Sequence, residues 1–321
     1  MAWSSRWTRA LVLFVLTAFS FLALSTLVWA WPQRSVRFIV PLPPGVPTDL
    51  VCRLFAERLS KRWQQPVIVE NRQGADGLPA VGGFVSARDD HTLMCSFPGI
   101  VTINPLVYEN LPYDPVRDLV PVVSLSDNFI GVAVPATLNV NSLKDFIALA
   151  HSQPGKLNWA ASPGNPLYGF VALTKSAGLD MIQISYRDFR PALQDASEGR
   201  IQAIATGIGA MLPLASAGKL KFLLVNNGER SPQVSEVPTA AEAGYPELTL
   251  SGLTGLYGWR DMPAELREQI ASDVRQEAAE PAIAERVRGM GSLLHVGSSA
   301  DFAAALQQQR ARIAEIARTV R

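Results

Sequence analysis

Residues Val36 to Val40 form a short apolar run, and over 50–63 the apolar positions recur at helical spacing. Between them lies Pro41-Leu42-Pro43-Pro44-Gly45-Val46-Pro47-Thr48-Asp49. A strand, a tight loop and a helix in that order restrict the chain to an α/β architecture. The loop then sits at the carboxyl end of a strand and the amino end of a helix. Free backbone N–H groups and the helix dipole favour a small anion there. Pro47 at a first helical position and Asp49 in the first turn are also ordinary helix-start chemistry.

The alternation continues along the chain. Further strands are expected at 66–70, 91–95, 119–124, 129–134, 157–161, 182–185, 201–206, 222–225 and 249–257. Helices are expected at 78–87, 142–150, 165–178, 191–198, 263–279 and 301–319. Ser142 reads as an N-cap. Asn165-Pro166 reads as a cap followed by proline at the first helical position. Phe302, Leu306, Ile313 and Ile316 fall on one face of the last helix. The pattern predicts sheets of mostly parallel strands flanked by helices, in two lobes. The expected division is 31–131 and 226–321 for the first lobe and 132–225 for the second. The chain would cross between them near 131–135 and 225–230, a layout that permits hinge closure.

Residues 1–30 read as an export signal. Arg6 and Arg9 give a positive start, 10–28 is apolar, and Val28-Trp29-Ala30 supplies the cleavage positions. An uncleaved anchor is the competing reading, since a span needs ~20 apolar residues. Thr17, Ser20, Ser25 and Thr26 dilute the run. Cleavage after Ala30 would release a periplasmic chain beginning at Trp31. Without the leader's two arginines, 27 basic residues face 28 acidic ones. That balance gives no footprint for nucleic acid or an anionic membrane surface. Cys52 and Cys95 are the only cysteines. An oxidising compartment allows a bridge, but two small buried side chains in an ample core is the favoured reading.

No catalytic constellation is present in the sequence. His91, His151 and His295 have no partners at metal-ligand spacing, and there is no His-Glu-x-x-His, G-x-S-x-G or G-x-x-x-x-G-K-[ST]. Asp89-Asp90 reads as a solvated turn. No metal or cofactor is expected. Ser162-Pro163-Gly164-Asn165-Pro166 is a second strand-to-helix loop, placed in the other lobe. Two such loops facing one another would offer N–H donors and hydroxyls from both sides of a cleft.

Ordered fragments along the mature chain resemble the periplasmic substrate-binding proteins of tripartite tricarboxylate transporters, the Bug family. They include Val40-Pro41-Leu42-Pro43-Pro44-Gly45, Thr48-Asp49, Gln65-Pro66-Val67-Ile68-Val69-Glu70-Asn71-Arg72 and Ile103-Asn104-Pro105. Leu111-Pro112-Tyr113-Asp114-Pro115, Pro154-Gly155-Lys156-Leu157-Asn158, Tyr186-Arg187, Pro191-Ala192-Leu193, Ala217-Gly218-Lys219-Leu220 and Val237-Pro238-Thr239 follow. The resemblance implies a two-lobed type II periplasmic-binding-protein fold that closes on a small organic carboxylate. It implies ligand contacts from Pro43, Pro44, Gly45, Val46, Thr48 and Asp49, and from Ser96, Phe97 and Gly99. The second lobe would contribute Ser162, Pro163, Gly164, Asn165, Tyr186 and Thr206. Such pockets hold a carboxylate by backbone N–H groups, hydroxyls and water, with no arginine clamp required.

The chain departs from the family pattern in several places. Val46 stands where a second glycine is usual, and Pro47 removes a possible N–H donor. The Ser162–Asn165 loop is short. Tyr186-Arg187-Asp188 replaces the common Tyr-Lys-Gly, and Thr206 replaces an acidic residue. The expected function is a monomeric solute-binding protein serving a membrane permease, or reporting to a sensor. An enzyme reusing the fold is the alternative.

Overall fold

The computed structural model describes residues 31–320 apart from Arg187, Asp188 and Ser251; the expected leader lies outside the described residues. Residues 31–34 group apart from the body that begins at Ser35. The body contains strands β1 (Val36–Val40), β2 (Val67–Asn71), β3 (Thr92–Ser96), β4 (Val120–Asn128), β5 (Ile130–Pro135), β6 (Asn158–Ala161), β7 (Ile182–Gln183), β8 (Ala203–Gly207), β9 (Leu220–Val225), β10 (Gly252–Gly258) and β11 (Ser292–Leu294). Two sheets result, one in the order β11-β4-β10-β3-β1-β2 and the other β7-β6-β8-β5-β9. The two-lobed α/β class is the one expected.

The pairing is mixed rather than mostly parallel. β1 pairs parallel with β2 and β3, and β6 with β7 and β8. These strands are joined through helices, as parallel crossovers require. β10 runs antiparallel to β3 and β4, β11 to β4, and β5 to β8 and β9. The chain passes from the first sheet to the second at Phe129, between β4 and β5, ahead of the expected 131–135. It leaves the second sheet after Val225 and supplies β10 and β11 to the first.

The helices are α1 (Pro47–Trp63), α2 (Leu78–Ala87), α3 (Gly99–Thr102), α4 (Asn104–Val107), α5 (Leu143–Ser152), α6 (Asn165–Ser176), α7 (Phe189–Ser197), α8 (Ile208–Ser216), α9 (Ala264–Ala278), α10 (Pro281–Gly289) and α11 (Ser299–Val320). Helix α1 begins three residues before the expected position because Pro47 already holds a helical φ at its first turn. Ser142 caps α5, its hydroxyl accepting from the Asp145 N–H at 3.1 Å. Helix α8 had no counterpart in the sequence reading. It follows β8 directly, is apolar around most of its circumference and contains Gly209 and Pro213, so no helical stripe marks it.

One core gathers Ile39, Phe84, Met94, Tyr257 and Phe302 beside the first sheet. Another gathers around Trp159 and Phe170, whose rings stack with centroids 4.6 Å apart. Helix α11 belongs to both. Phe302 and Leu306 pack into the first core, and Ile313 and Ile316 into the second. The last helix is therefore a third link between the lobes, beyond the two strand passages.

Cys52 and Cys95 form a disulfide with Cα atoms 6.1 Å apart, which corrects the expectation of two unbridged core side chains. Helix α1 lies against the first sheet with Cys52 facing β3, and the separation is within the usual range for a bridge. Both residues are fully buried.

Helices α1 and α9 are clasped by ion pairs. Glu277 accepts from Arg58 Nε and Arg62 Nε, each at 2.7 Å. Burial pushes the Glu277 pKa upward, and the hydrogen bonds from Arg62 and Arg58 outweigh it, leaving the group below the usual carboxylate range. Its contribution is complete above the unfolded carboxylate pKa and is lost as pH falls through the lower folded pKa. We expect Glu277→Gln to lower stability at pH 7 by roughly 1–2 kcal/mol, since the arginines retain solvent access. Urea melts should show that the variant's deficit shrinks below about pH 4. A deficit independent of pH would remove the ion-pair explanation.

Candidate functional site

Three strand ends of the second sheet face loops of the first. Beyond β6 comes the Ser162–Asn165 turn, where Gly164 takes a φ of +84°. A Cβ placed on Gly164 would lie 3.2 Å from the Phe97 ring, which extends from the loop after β3. Beyond β8, a Cβ on Gly207 would lie 3.6 Å from Pro47 Cγ at the start of α1. Beyond β7, Arg190 in the first turn of α7 reaches Gly45, whose Cβ position lies 3.6 Å from the Arg190 Nη2. The walls of a cleft are thus the β1–α1 and β3–α3 loops on one side and the ends of β6, β7 and β8 on the other.

The β1–α1 loop is held in shape by Asp49. This side chain is fully buried. Its Oδ2 accepts from the Gly45 N–H at 2.8 Å and from Arg53 Nε at 3.0 Å, and its Oδ1 from Asn71 Nδ2 at 2.7 Å. Gly45 itself sits at φ +87°, a conformation other residues rarely adopt. The carboxylate is therefore a loop clamp, where the sequence reading made it a ligand contact or a helix-dipole charge. Thr48 is likewise engaged, its hydroxyl accepting from Asn128 Nδ2 at 3.0 Å. Pro43 and Val46 are half-buried and Pro44 is exposed.

On the β3 side, Ser96 is fully buried within the sheet, opposite Gly255. Its hydroxyl donates to the Phe97 carbonyl at 3.2 Å. Every residue of β3 is buried, with both faces of the strand covered. Phe97 is half-buried and packs over Gly99 and Gly164, so of this group it is the residue that faces the other lobe.

On the second lobe, the Thr206 hydroxyl donates to Ser162 Oγ at 2.9 Å, joining two of the expected contacts. Pro163 is exposed, and Gly164 and Asn165 are buried at the head of α6. The Tyr186 hydroxyl donates to Asp195 Oδ2 at 2.5 Å. Burial, followed by this bond to a carboxylate, pushes its pKa up to about 12. Its proton is spent within the lobe, leaving its oxygen as an acceptor. The Tyr186-Arg187-Asp188 departure continues into residues outside those described.

Arg190 was not among the expected contacts. The signal for it was its place, directly before the Pro191-Ala192-Leu193 fragment in a loop already assigned to the cleft. The Leu111–Pro115 fragment lies apart from these loops, along a surface hollow of about 710 Å³ that Arg117 and Arg260 also line. Asp118 accepts there from Arg260 Nε at 2.8 Å. Asp89, Asp90 and His91 bring ligand-type atoms within 4.8 Å of one another. Asp89 is committed to Arg37 and to the Thr92 hydroxyl. Among the described residues, no helix is long and apolar enough to cross a membrane.

Comparison with known proteins places this architecture. A UPF0065 protein of Bordetella bronchiseptica is 31% identical over 294 residues, covering 90% of this chain and 86% of that protein. The structure of Rhodopseudomonas palustris Rpa4515 with adipate superposes with a TM-score of 0.84 at 29% identity, covering 90% of this chain and 98% of that one. MatC (Rpa3494) from the same organism, with bound malate, gives a TM-score of 0.82 at 26% identity, covering 89% and 100%. The profile of the tripartite tricarboxylate transporter family receptor matches residues 51–321, starting just past the β1–α1 loop. With that match over most of its length, the chain belongs to the receptor family of tripartite tricarboxylate transporters.

Proposed function

We propose that this receptor captures a small organic carboxylate in the cleft between its lobes and presents it to a membrane permease. The supporting observation is the convergence of two helix starts, those of α1 and α6, from opposite lobes. The first N–H groups of a helix have no acceptor within it, and the dipole adds positive potential. The Ser162 hydroxyl, which accepts from Thr206, keeps its own proton to donate on one wall, and Phe97 shields the other. The adipate and malate in the two related structures support a carboxylate as the ligand class. On this reading the lobes are 31–129 with 226–321, and 130–225, two residues short of the boundary expected at 131, and the monomeric protein works in the periplasm after cleavage behind Ala30. No catalytic role is assigned to any residue.

A thermal-shift screen of the purified protein against mono-, di- and tricarboxylates tests the reading. A ligand bound only by the folded protein adds RT ln(1 + [L]/Kd), about 2.7 kcal/mol at a hundredfold excess over Kd. The best ligand should also reduce the radius of gyration in small-angle scattering, since closure swings the lobes about the two passages. No stabilisation by any carboxylate would overturn the proposal. Gly164→Leu should abolish the ligand's effect, because its side chain would be driven into Phe97. The positive φ at Gly164 means that this variant also loses intrinsic stability, roughly 1–3 kcal/mol.

A further inference from the structure

The lobe-1 loop that faces the ligand is short of donors. Residues 41–47 include four prolines, Pro41, Pro43, Pro44 and Pro47, which have no N–H. The Gly45 N–H is committed to Asp49. A carboxylate lying against this loop would find few amides there. Opposite the same loop stands Arg190, with its Nη2 3.6 Å from the Gly45 Cβ position. It is exposed. It also lies in the first turn of α7, at the end of a helix where the dipole disfavours a cation, and no acidic residue occupies that turn. A local rule is broken at the place where the cleft lacks donors, a pattern expected of functional positions.

We propose that Arg190 is a specificity-determining residue that binds a second anionic group of the ligand, above the Gly45 loop. This inference rests on the carboxylate-binding reading above. The strand order supplies the geometry. Thr206 lies at the end of β8 and Ser162 just past β6, while Arg190 lies in the first turn of the helix that follows the edge strand β7. Neighbouring strands lie about 4.8 Å apart, so the β7 end is offset by about 5 Å from the β6 end, where α6 begins, and by about 10 Å from the β8 end. A short diacid with one carboxylate at the head of α6 would place its other one strand over, on the side of the guanidinium. The planar fork offers five donors and can grip a carboxylate through two parallel N–H···O bonds. Arg190 already makes an interaction within the chain, and the ligand's anion joins or replaces it.

The test is isothermal titration of the purified protein with adipate and malate, each paired with its monomethyl ester. The parent should bind at least one diacid more tightly than its ester. Arg190→Gln should weaken the diacid by about 10- to 100-fold, the range for hydrogen bonds to charged groups. It should change the ester by less than about threefold, so that the preference collapses. Arg190→Lys should restore part of the preference. The melting temperature without ligand should fall by no more than a degree or two, because the interactions of an exposed side chain contribute little to stability. Equal diacid binding by parent and Arg190→Gln overturns the role of Arg190 and leaves the carboxylate cleft intact. An equal loss for diacid and ester overturns it too, since Arg190 would not then select the second group. Failure of the parent to bind any of the four probes overturns both proposals together.

Discussion

Replacing both Cys52 and Cys95 with alanine should lower the unfolding free energy by about 4 kcal/mol. The figure follows from the loop-closure entropy that a bridge spanning 43 residues removes from the unfolded chain. Two buried sulfurs lost from the core add a small further cost. The bridge also lies beside the candidate cleft. Cys52 sits one turn into α1, just past the Gly45 loop, and Cys95 lies two residues before Phe97. It therefore ties together the two loops that form the first wall of the cleft. Urea denaturation with and without reductant measures the effect, with the double-alanine variant as control. Added reductant should bring the parent to the variant's midpoint once unfolding exposes the sulfurs. Unfolding free energies for parent and variant that differ by less than about 1 kcal/mol would mean that the thiols are free, as the sequence reading favoured.

The fold was readable because its strongest signals are local. Short apolar runs alternating with helical spacing mark most of the elements, and the ordered fragments identify the family. The features that escaped depend on contacts between distant segments. Nothing local distinguishes a buried cysteine pair from a bridged one, and the Cys52–Cys95 bond exists because α1 packs over β3. Helix α8 has no polar face to reveal it. The antiparallel insertion of β10 between β3 and β4 follows from the chain's return to the first sheet, which periodicity does not record. The site shows the same division. Its loops were found from their strand-to-helix position, whereas the roles within them were set by the tertiary fold. Asp49 became a clamp because Asn71 and Arg53 reach it. Ser96 is covered on all sides, and Arg190 comes beside Gly45 only because the two lobes bring their loops together.

The largest effect at the hinge is expected from Asn128, the last residue of β4 before the chain passes between lobes. Its side-chain Nδ2 donates to Thr48 Oγ1 at 3.0 Å and to Thr254 Oγ1 at 2.9 Å. Its Oδ1 accepts from Ser292 Oγ at 2.6 Å and from Ser126 Oγ at 3.3 Å. The amide is therefore fully used, and all four hydroxyls are buried. The network continues to the other passage. Asn227 Nδ2 donates to the Asn128 carbonyl at 3.2 Å, and the Ile130 N–H donates to Asn227 Oδ1 at 3.0 Å. Asn128→Ala strands several buried hydroxyls at once, each costing about 1–3 kcal/mol if it finds no other partner. Thr48 and Thr254 already lie 3.3 Å apart and can partly satisfy one another. We therefore expect a net loss of about 3 kcal/mol in urea unfolding. Asn227→Ala leaves the buried Ile130 N–H without its acceptor and should cost about 2 kcal/mol. Because these bonds join the two passages to the base of α1, the loss should be accompanied by faster amide hydrogen exchange at Ile130 and Asn226. Parent-like stability and exchange in both variants would mean that the lobes are held by their apolar contacts and by α11 alone, with the polar network contributing nothing to the hinge.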